Sequence, residues 1–342
     1  MIRILIVDDS TVFRAALKAA LERDATIQVV GQAGNGREAI ELVARLEPDL
    51  VTMDVVMPGL DGFQTVKQIM ALRPTAILVI SDLKREMITF RMLAAGALDV
   101  INKPGAGPEA LRAIVERVKN LAGAQLLPPK PEQPHSPTLI KPPGRSPGFK
   151  ANFDTGPVVI LVSSAGGPLA LAHILGELPP ELHASVIIVQ HITAGFAQGL
   201  AKWLAGICRL PVQLAEANQV LQPGSVLVAP DHAQLIIAPG RRILLDASQA
   251  APTLRPAADI TLRSAAPVCG ADLLSVVLTG MGNDGAAGAQ AVKANSGCVA
   301  VQDQTTSAIY GMPRAARPFA DVELPLDEIA AFIVRFVHDH SH

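Results

Sequence analysis

The N-terminal third of the chain carries acidic residues at the ends of apolar runs. Asp8 and Asp9 follow the first such run, and Asp54 follows the third. Because the carboxyl ends of parallel strands meet at one edge of a sheet, these three carboxylates are expected to converge. Carboxylate oxygens suit Mg²⁺, which leaves room for water and a phosphoryl group. Ser81 after the fourth run and Lys103 after the fifth add a hydroxyl and a positive charge at the same edge.

A second set of polar residues follows apolar runs further along the chain. Ser164, His191 and Asp284 each come just after such a run, so parallel neighbouring strands would bring the three side chains to one edge. A serine hydroxyl becomes nucleophilic when a positioned imidazole takes its proton and a carboxylate orients that imidazole. The set therefore indicates a Ser-His-Asp hydrolase. The alternative is a helix cap, a core histidine and a loop carboxylate.

The turn after Ser164 has the composition that such chemistry needs. Gly166 and Gly167 permit a tight strand-to-helix turn, and Pro168 suits the first turn of a helix. The backbone N–H groups of this turn, including that of Ala165, are candidates to stabilise an oxyanion. Val162 departs from the G-x-S-x-G pattern of nucleophile elbows.

A competing motif overlaps the same region. Residues 280–285, Gly-Met-Gly-Asn-Asp-Gly, fit the dinucleotide-binding pattern G-x-G-x-x-G, and Asp303 follows the next apolar run as a ribose ligand should. Against this interpretation, Asp284 would put a negative charge where a pyrophosphate binds. It also leaves Ser164 and His191 without a role.

Apolar runs alternate with amphipathic helical patterns in both halves of the chain, which predicts two α/β domains. We expect a first domain at residues 1–123 with a five-stranded, doubly wound parallel sheet, and a second domain at 155–342 with a mostly parallel sheet. A β-hairpin is predicted around Pro239-Gly240. Eight of the 27 prolines crowd into residues 124–154, which indicates a semi-extended linker.

The composition excludes several classes of protein. A net charge of −2 lacks the basic footprint that nucleic-acid binding requires, so no nucleic-acid partner is expected. No segment has the length and apolarity of a membrane span or a signal peptide, and a cytoplasmic protein without membrane insertion is expected. The three cysteines lack metal or disulfide spacing and are expected to be reduced thiols.

The motifs of the first half resemble those of response-regulator receiver domains, from residue 1 to about 121. The resemblance is carried by Ile-Val-Asp-Asp-Ser at 6–10, by residues 54–62 and by Asn-Lys-Pro at 102–104. It implies a flavodoxin-like fold and a histidine kinase as phosphodonor. Such domains often carry an aromatic residue where this chain has Val100.

The same resemblance implies a role for each residue of the acidic set. Asp54 is the expected phosphorylation site, with Mg²⁺ as cofactor held by Asp8, Asp9 and Asp54. Ser81 and Lys103 are expected to contact the phosphoryl oxygens.

The second half resembles the protein-glutamate methylesterases of bacterial chemotaxis, over residues 157 to 337. Four segments carry this resemblance: residues 189–191, 255–266, 278–285 and 310–314. The receiver-like domain and linker ahead of them repeat the domain order of that family.

By this resemblance Ser164 is the nucleophile, His191 the general base and acid, and Asp284 the orienting carboxylate. The backbone N–H of Met281 joins that of Ala165 as an expected oxyanion donor. The family usually has a hydroxyl-bearing residue at position 165, and this chain has alanine. His232 is the rival base that a test should include.

The implied reaction is hydrolysis of glutamyl methyl esters on methylated chemoreceptors, and deamidation of receptor glutamines is a further expectation. No cofactor is expected for the esterase step. Two alternatives remain open at the level of sequence. One is a receiver-controlled interaction module with a catalytically weak hydrolase fold, suggested by Ala165 and Val162, and the other is a dinucleotide-binding oxidoreductase.

Overall fold

The structure is a computed structural model of the chain. It describes residues 1–57, 59, 61–81, 86–104, 108–124, 126, 156–248 and 254–341, except for the side chains of 81, 86–89 and 108–110. Apart from residues 124 and 126, the predicted linker lies outside the described residues, and the predicted domain boundaries stay a prediction.

The N-terminal part alternates five strands with five helices. Its elements are β1 (Ile2–Val7), α1 (Thr11–Leu21), β2 (Ile27–Ala33), α2 (Gly36–Leu46), β3 (Leu50–Asp54), α3 (Gly62–Leu72), β4 (Ala76–Ser81), α4 (Glu86–Ala94), β5 (Asp99–Asn102) and α5 (Pro108–Leu121). The strands form one parallel sheet in the order β2-β1-β3-β4-β5. The predicted five-stranded, doubly wound parallel sheet is confirmed.

The C-terminal part is built on a larger sheet. Its strands are β6 (Val158–Ser163), β7 (Ser185–Gln190), β8 (Val212–Leu214), β9 (Ser225–Val228), β10 (Gln234–Ala238), β11 (Arg242–Asp246), β12 (Leu273–Val277), β13 (Cys298–Gln302) and β14 (Val322–Leu324). Its helices are α6 (Gly167–Glu177), α7 (Ala197–Ala205), α8 (Ala258–Cys269), α9 (Ala286–Ala294), α10 (Gly311–Ala316) and α11 (Leu326–Asp339).

Seven of these strands form a parallel sheet in the order β14-β13-β12-β6-β7-β9-β8. The strands β12, β6 and β7 that precede the three candidate catalytic residues are therefore neighbours at its centre. Every residue of β6 and β7 is buried, as expected for a parallel sheet covered by helices on both faces. The predicted hairpin is also confirmed, because β10 and β11 pair antiparallel around Gly240, whose φ is +74°.

Local sequence signals account for the helix starts nearest the sites. The Ser10 side chain accepts a hydrogen bond from the Phe13 N–H and caps α1. Helix α6 instead follows Gly166, whose φ of +75° reverses the chain two residues after Ser164. Among the described residues, no helix combines the length and the apolar composition that crossing a bilayer requires.

The two parts pack against each other through α4 of the first and α7 of the second. The Phe90 ring is fully buried, stacks on Trp203 with centroids 5.9 Å apart, and meets Phe196 edge-on at 6.5 Å. Two backbone carbonyls at the edge strand β5 also accept hydrogen bonds from the second part. Leu98 O accepts from the N–H of Gly166 at 3.0 Å, and Val100 O accepts from the hydroxyl of Thr193 at 3.3 Å.

Candidate functional site

The acidic residues predicted to bind a cation converge at the carboxyl edge of the first sheet. Asp8 and Asp9 follow β1, Asp54 ends β3, and one carboxylate oxygen from each lies within 4.8 Å of the others. Asp8 is only 2% exposed, and burial raises its pKa above 3.8, with the charge of Asp54 as a smaller cause in the same direction. A divalent cation would stabilise these charges together, so the donor set fits Mg²⁺.

Lys103 lies among these carboxylates. Its Nζ is 2.6 Å from Asp8 Oδ2 and 2.7 Å from Asp54 Oδ2, while its other side faces the Phe13 ring at 4.7 Å. Burial lowers the pKa of Lys103, but its hydrogen bonds to Asp54 and Asp8 outweigh burial, and the pKa is raised overall. The ammonium is thus held charged beside Asp54.

The other predicted phosphoryl contact is described in part. Ser81 ends β4 and pairs in register with Asn102, the residue before Lys103. Its backbone therefore lies at the same sheet edge, while its side chain lies outside the described residues.

Ser164 and His191 are neighbours because their strands are in register. Ser163 at the end of β6 pairs with Gln190 at the end of β7, and the His191 N–H donates to Ser163 O at 2.9 Å. The Ser164 N–H donates to Thr279 O at 3.0 Å, which joins the loop after β12 to the serine. The structure thus brings three strand ends together at the predicted edge.

The imidazole of His191 is paired with the carboxylate of Asp284. His191 Nε2 lies 2.7 Å from Asp284 Oδ2, and the histidine is only 8% exposed. With Nε2–H directed at the carboxylate, Nδ1 is the nitrogen left to take a proton. Across the described chain no hydrogen bond to the Ser164 hydroxyl is present, and such bonds often tighten only when substrate binds.

Asp284 is oriented by the start of α8 as well as by His191. Its Oδ2 accepts from the Ala258 N–H at 2.6 Å and its Oδ1 from the Asp259 N–H at 2.9 Å. Burial raises the pKa of Asp284, but the hydrogen bonds from His191 and the two amides outweigh burial. Its pKa is therefore lowered from 3.8, and the group is a carboxylate at neutral pH.

Asp259 is a site residue that the sequence analysis did not single out. Its Oδ1 accepts from the N–H groups of Gly285 at 2.9 Å and Gly288 at 2.7 Å, at the start of α9. Asp284, just before α9, binds the start of α8, while Asp259, in the first turn of α8, binds the start of α9. The sequence signal for Asp259 is its place in the first turn of a helix, where an acidic residue is common. Its contact with α9 could not be predicted, because that helix is distant in sequence.

The two expected oxyanion donors lie in different loops, Ala165 in the turn after Ser164 and Met281 in the loop after β12. Ala165 is 1% exposed and lies in an apolar cluster against which Met281 packs. Within the described residues, the N–H of neither Ala165 nor Met281 donates to a protein acceptor. The next amide in the turn, that of Gly166, is already bonded to Leu98 of the first part.

The glycines at 280, 282 and 285, which fit the dinucleotide-binding pattern, permit the backbone geometry of the loop after β12. A Cβ placed on Gly280 would lie 2.8 Å from the Ser164 Cβ, so glycine is needed there for the close approach of the two loops. Gly282 and Gly285 have φ values of +82° and +97°. Asp303 accepts hydrogen bonds from Thr306 N–H and Oγ1 at 2.9 and 2.6 Å, in a turn of its own. Gly280 is thus explained by the approach of the Ser164 loop, and Gly282 and Gly285 by their positive φ.

His232 lies outside this cluster. Its side chain is 70% exposed, and its ring lies 3.9 Å from the carboxylate of its neighbour Asp231. Asp231 in turn accepts from the N–H groups of Gly195 and Ala197 at the start of α7. Nothing in this geometry connects His232 with Ser164.

Comparison with known proteins identifies two families in the chain. Residues 159–333 match the CheB methylesterase family, and residues 4–116 match the response regulator receiver domain family. A catalytic domain of a CheB methylesterase from Thermotoga maritima superposes with a TM-score of 0.51 and 36% sequence identity. The match covers 53% of this chain and 99% of that structure.

Full-length relatives share both parts. A Methanospirillum hungatei protein named protein-glutamate methylesterase/protein-glutamine glutaminase 2 is 37% identical, over 97% of each chain. A protein of Anaeromyxobacter dehalogenans named protein-glutamate methylesterase/protein-glutamine glutaminase 3 is 40% identical, over 96% of this chain and 97% of its own length.

The pairing of Asp284 predicts a pH-dependent contribution to stability. Because the folded state lowers the pKa of this carboxyl from 3.8, its contribution is full above the unfolded pKa and is lost as pH falls through the folded pKa. Asp284→Asn should lower the free energy of unfolding by about 1–3 kcal/mol near pH 7. The difference from wild type should shrink below about pH 4.

Urea unfolding followed by the fluorescence of Trp203, the one tryptophan of the chain, measures this difference between pH 3 and 7. Asp246→Asn is a suitable control, because Asp246 accepts its hydrogen bond from Ser248 in an exposed turn, where solvent screening keeps the effect of the substitution small at every pH. A difference that is constant over the whole pH range would contradict the assignment.

Proposed function

The chain belongs to the CheB methylesterase family, and we propose that it hydrolyses glutamyl methyl esters on chemoreceptors under the control of its own receiver domain. The observation that carries the proposal is the His191–Asp284 pair beside Ser164 at the centre of the seven-stranded sheet. The receiver provides the phosphorylation input, and its docking next to Ser164 provides the means of control.

In the proposed reaction Ser164 Oγ attacks the side-chain carbonyl of the methylated glutamate. His191 Nδ1 takes the serine proton, while Asp284 holds Nε2–H and stabilises the imidazolium. The N–H groups of Ala165 and Met281 donate to the oxyanion of the tetrahedral intermediate. Transfer of the proton from His191 to the leaving oxygen releases methanol and leaves an acyl-enzyme.

Water completes the reaction. His191 Nδ1 takes a proton from the water that attacks the acyl-enzyme, and returns it to Ser164 Oγ as the glutamate carboxylate leaves. The same groups would deamidate a glutamine, with ammonia as the leaving group. Because an amide is the poorer leaving group, we propose deamidation as the slower activity.

The alternative of a catalytically weak hydrolase rests on Val162 and Ala165, and neither residue supports it. Ala165 is required only for its backbone N–H, which alanine retains. Val162 is fully buried in the strand before the nucleophile, where an apolar side chain contributes to the core. Neither residue replaces a group that the proposed chemistry uses.

For the receiver, we propose that a histidine kinase phosphorylates Asp54. Asp8, Asp9 and Asp54 would hold Mg²⁺, which neutralises the charge of the transferring phosphoryl group. Lys103 and Ser81 would contact the phosphoryl oxygens. Phosphorylation adds a charge of about −1.5 to −2 beside Lys103.

The contacts of β5, and of Leu98 just before it, indicate how the receiver would control the esterase. The Leu98 carbonyl binds the amide of Gly166, two residues after Ser164, and the Val100 carbonyl binds Thr193, two residues after His191. Lys103 follows directly on the same strand. A phosphoryl group on Asp54 would replace the ion pairs that Lys103 now makes with Asp8 and Asp54, and the movement of Lys103 would shift β5 and weaken docking over the active site.

Removal of the triad tests the esterase. Ser164→Ala, His191→Ala and Asp284→Ala should each reduce methanol release from methylated receptor by about 10⁴-fold or more, because triad members act as a unit. His232→Ala is the matched control and should retain most of the activity. Substantial activity of Ser164→Ala would show that another residue is the nucleophile, and a collapse in His232→Ala would move the base there.

Labelling tests the phosphorylation site. A small phosphodonor with Mg²⁺ should label wild type and leave Asp54→Asn unlabelled, and chelation of Mg²⁺ should abolish the label. Asp61→Asn is the control, since Asp61 is an exposed acid nearby that only caps α3, which asparagine also does. Undiminished labelling of Asp54→Asn would assign the site to Asp8 or Asp9.

Loosening the interface tests occlusion. Phe90→Ala removes the receiver ring that stacks on Trp203 and should raise the unphosphorylated rate by roughly tenfold, equivalent to about 1.4 kcal/mol of docking. Phe63→Ala, a buried receiver phenylalanine that contacts Arg91, controls for a destabilised receiver. A fragment from about residue 154 to the C-terminus should also exceed the unphosphorylated chain. A folded fragment that is no faster would reject occlusion.

A further inference from the structure

The side chain of Gln190 joins the backbones on which the two reacting residues stand. Gln190 ends β7 and is 2% exposed. Its Nε2 donates to Ser164 O at 2.8 Å and to His191 O at 2.8 Å. Its Oε1 accepts from the hydroxyl of Ser163 at 2.6 Å. One amide therefore connects the loop of the nucleophile with the loop of the base.

Both N–H donors of the amide bind carbonyl oxygens directly, each at 2.8 Å. A carboxamide has two N–H donors and an acceptor oxygen, and all three groups are engaged here. Buried networks of this kind are rigid when every member is satisfied, because an unpaired polar group in a low-dielectric interior is costly. The carbonyls of Ser164 and His191 are thus held at a fixed separation.

The surrounding chain leaves room for this amide. A Cβ on Gly167 would overlap Oε1 of Gln190 and lie 2.7 Å from the Ser163 Cβ. Glycine at the start of α6 therefore serves the amide as well as the turn. The sheet register that pairs Ser163 with Gln190 would align the strands alone, whereas the amide extends the alignment into the loops beyond them.

We propose that Gln190 is a positioning residue that sets the separation of the Ser164 hydroxyl and the His191 imidazole. The proposal rests on the function proposed above. Gln190 does not touch substrate or the reacting atoms in this role, and acts only through the two backbone carbonyls. Since a misplacement of about 1 Å can cost about 10²-fold in rate, loss of these bonds should lower kcat far more than it changes KM.

The experiment compares Gln190→Met with Gln234→Met in the full chain, activated by the same phosphodonor and Mg²⁺. Gln234 is also a buried amide with two backbone partners, since it accepts from Ala257 N–H and donates to Leu254 O, each at 2.7 Å. Methanol release gives kcat and KM, and labelling by a fluorophosphonate reports the reactivity of Ser164 without a receptor.

Gln190→Met should lower kcat and the labelling rate by roughly 10- to 100-fold, with KM within about threefold of wild type. Gln234→Met should lose a similar amount of thermal stability with a much smaller loss of kcat. Equal kcat losses in the two variants at equal loss of stability would overturn the positioning role, as would a wild-type labelling rate in Gln190→Met.

Gln190→Glu provides a test that keeps the shape of the side chain. As a carboxylate it would face two carbonyl oxygens without a proton to donate, and when protonated it would restore one donor. Burial raises the pKa of such a carboxyl. The activity of Gln190→Glu relative to wild type should therefore rise as pH falls, and a flat ratio would contradict the proposal.

Failure of the proposed function would be visible separately. A wild-type chain that releases no methanol, with equal fluorophosphonate labelling of wild type and Ser164→Ala, would reject the esterase itself. An active, Ser164-dependent wild type with a fully active Gln190→Met would reject only the role of Gln190.

Discussion

The hydrolase site depends on the carboxylate of Asp284, because it joins the imidazole of His191 to the start of a helix. Two amides of α8 and the imidazole share its two oxygens. The partial positive charge of a helix N-terminus favours the ionised form of such a group. The carboxylate is thus fixed in position and charge before any substrate arrives, which is what an orienting residue of a triad requires.

The carboxylate of Asp284 also connects the site with helices α8 and α9, which pack against each other. Asp259 binds the start of α9 as Asp284 binds the start of α8, so the two helices are coupled at their N-termini. They also pack closely, since a Cβ on Gly288 would lie 2.6 Å from the Leu262 Cβ. A change in the separation of α8 and α9 would therefore move the carboxylate away from the imidazole.

Docking of the receiver acts on the same edge through backbone groups and one aromatic contact. The carbonyls of Leu98 and Val100 bind partners that stand two residues beyond Ser164 and His191, while Phe90 stacks on Trp203. Position 100 contributes its carbonyl, so an aromatic side chain is not needed for this contact. The proposed phosphorylation site and the docking contacts are adjacent, because Lys103, which binds Asp54, follows β5, and the two carbonyls belong to β5 and to the residue before it.

Much of this organisation could be predicted from the sequence. Apolar periodicity determined the two parallel sheets and the hairpin, and the polar residues at strand ends determined which side chains could converge. Only the tertiary structure decided that β12, β6 and β7 are neighbours and that His191 Nε2 faces Asp284. It also decided that Gln190 binds the carbonyls of Ser164 and His191, and that Asp259 binds the start of α9. Strand order and hydrogen bonds across the sheet edge join residues far apart in the chain, and no local pattern encodes such pairings.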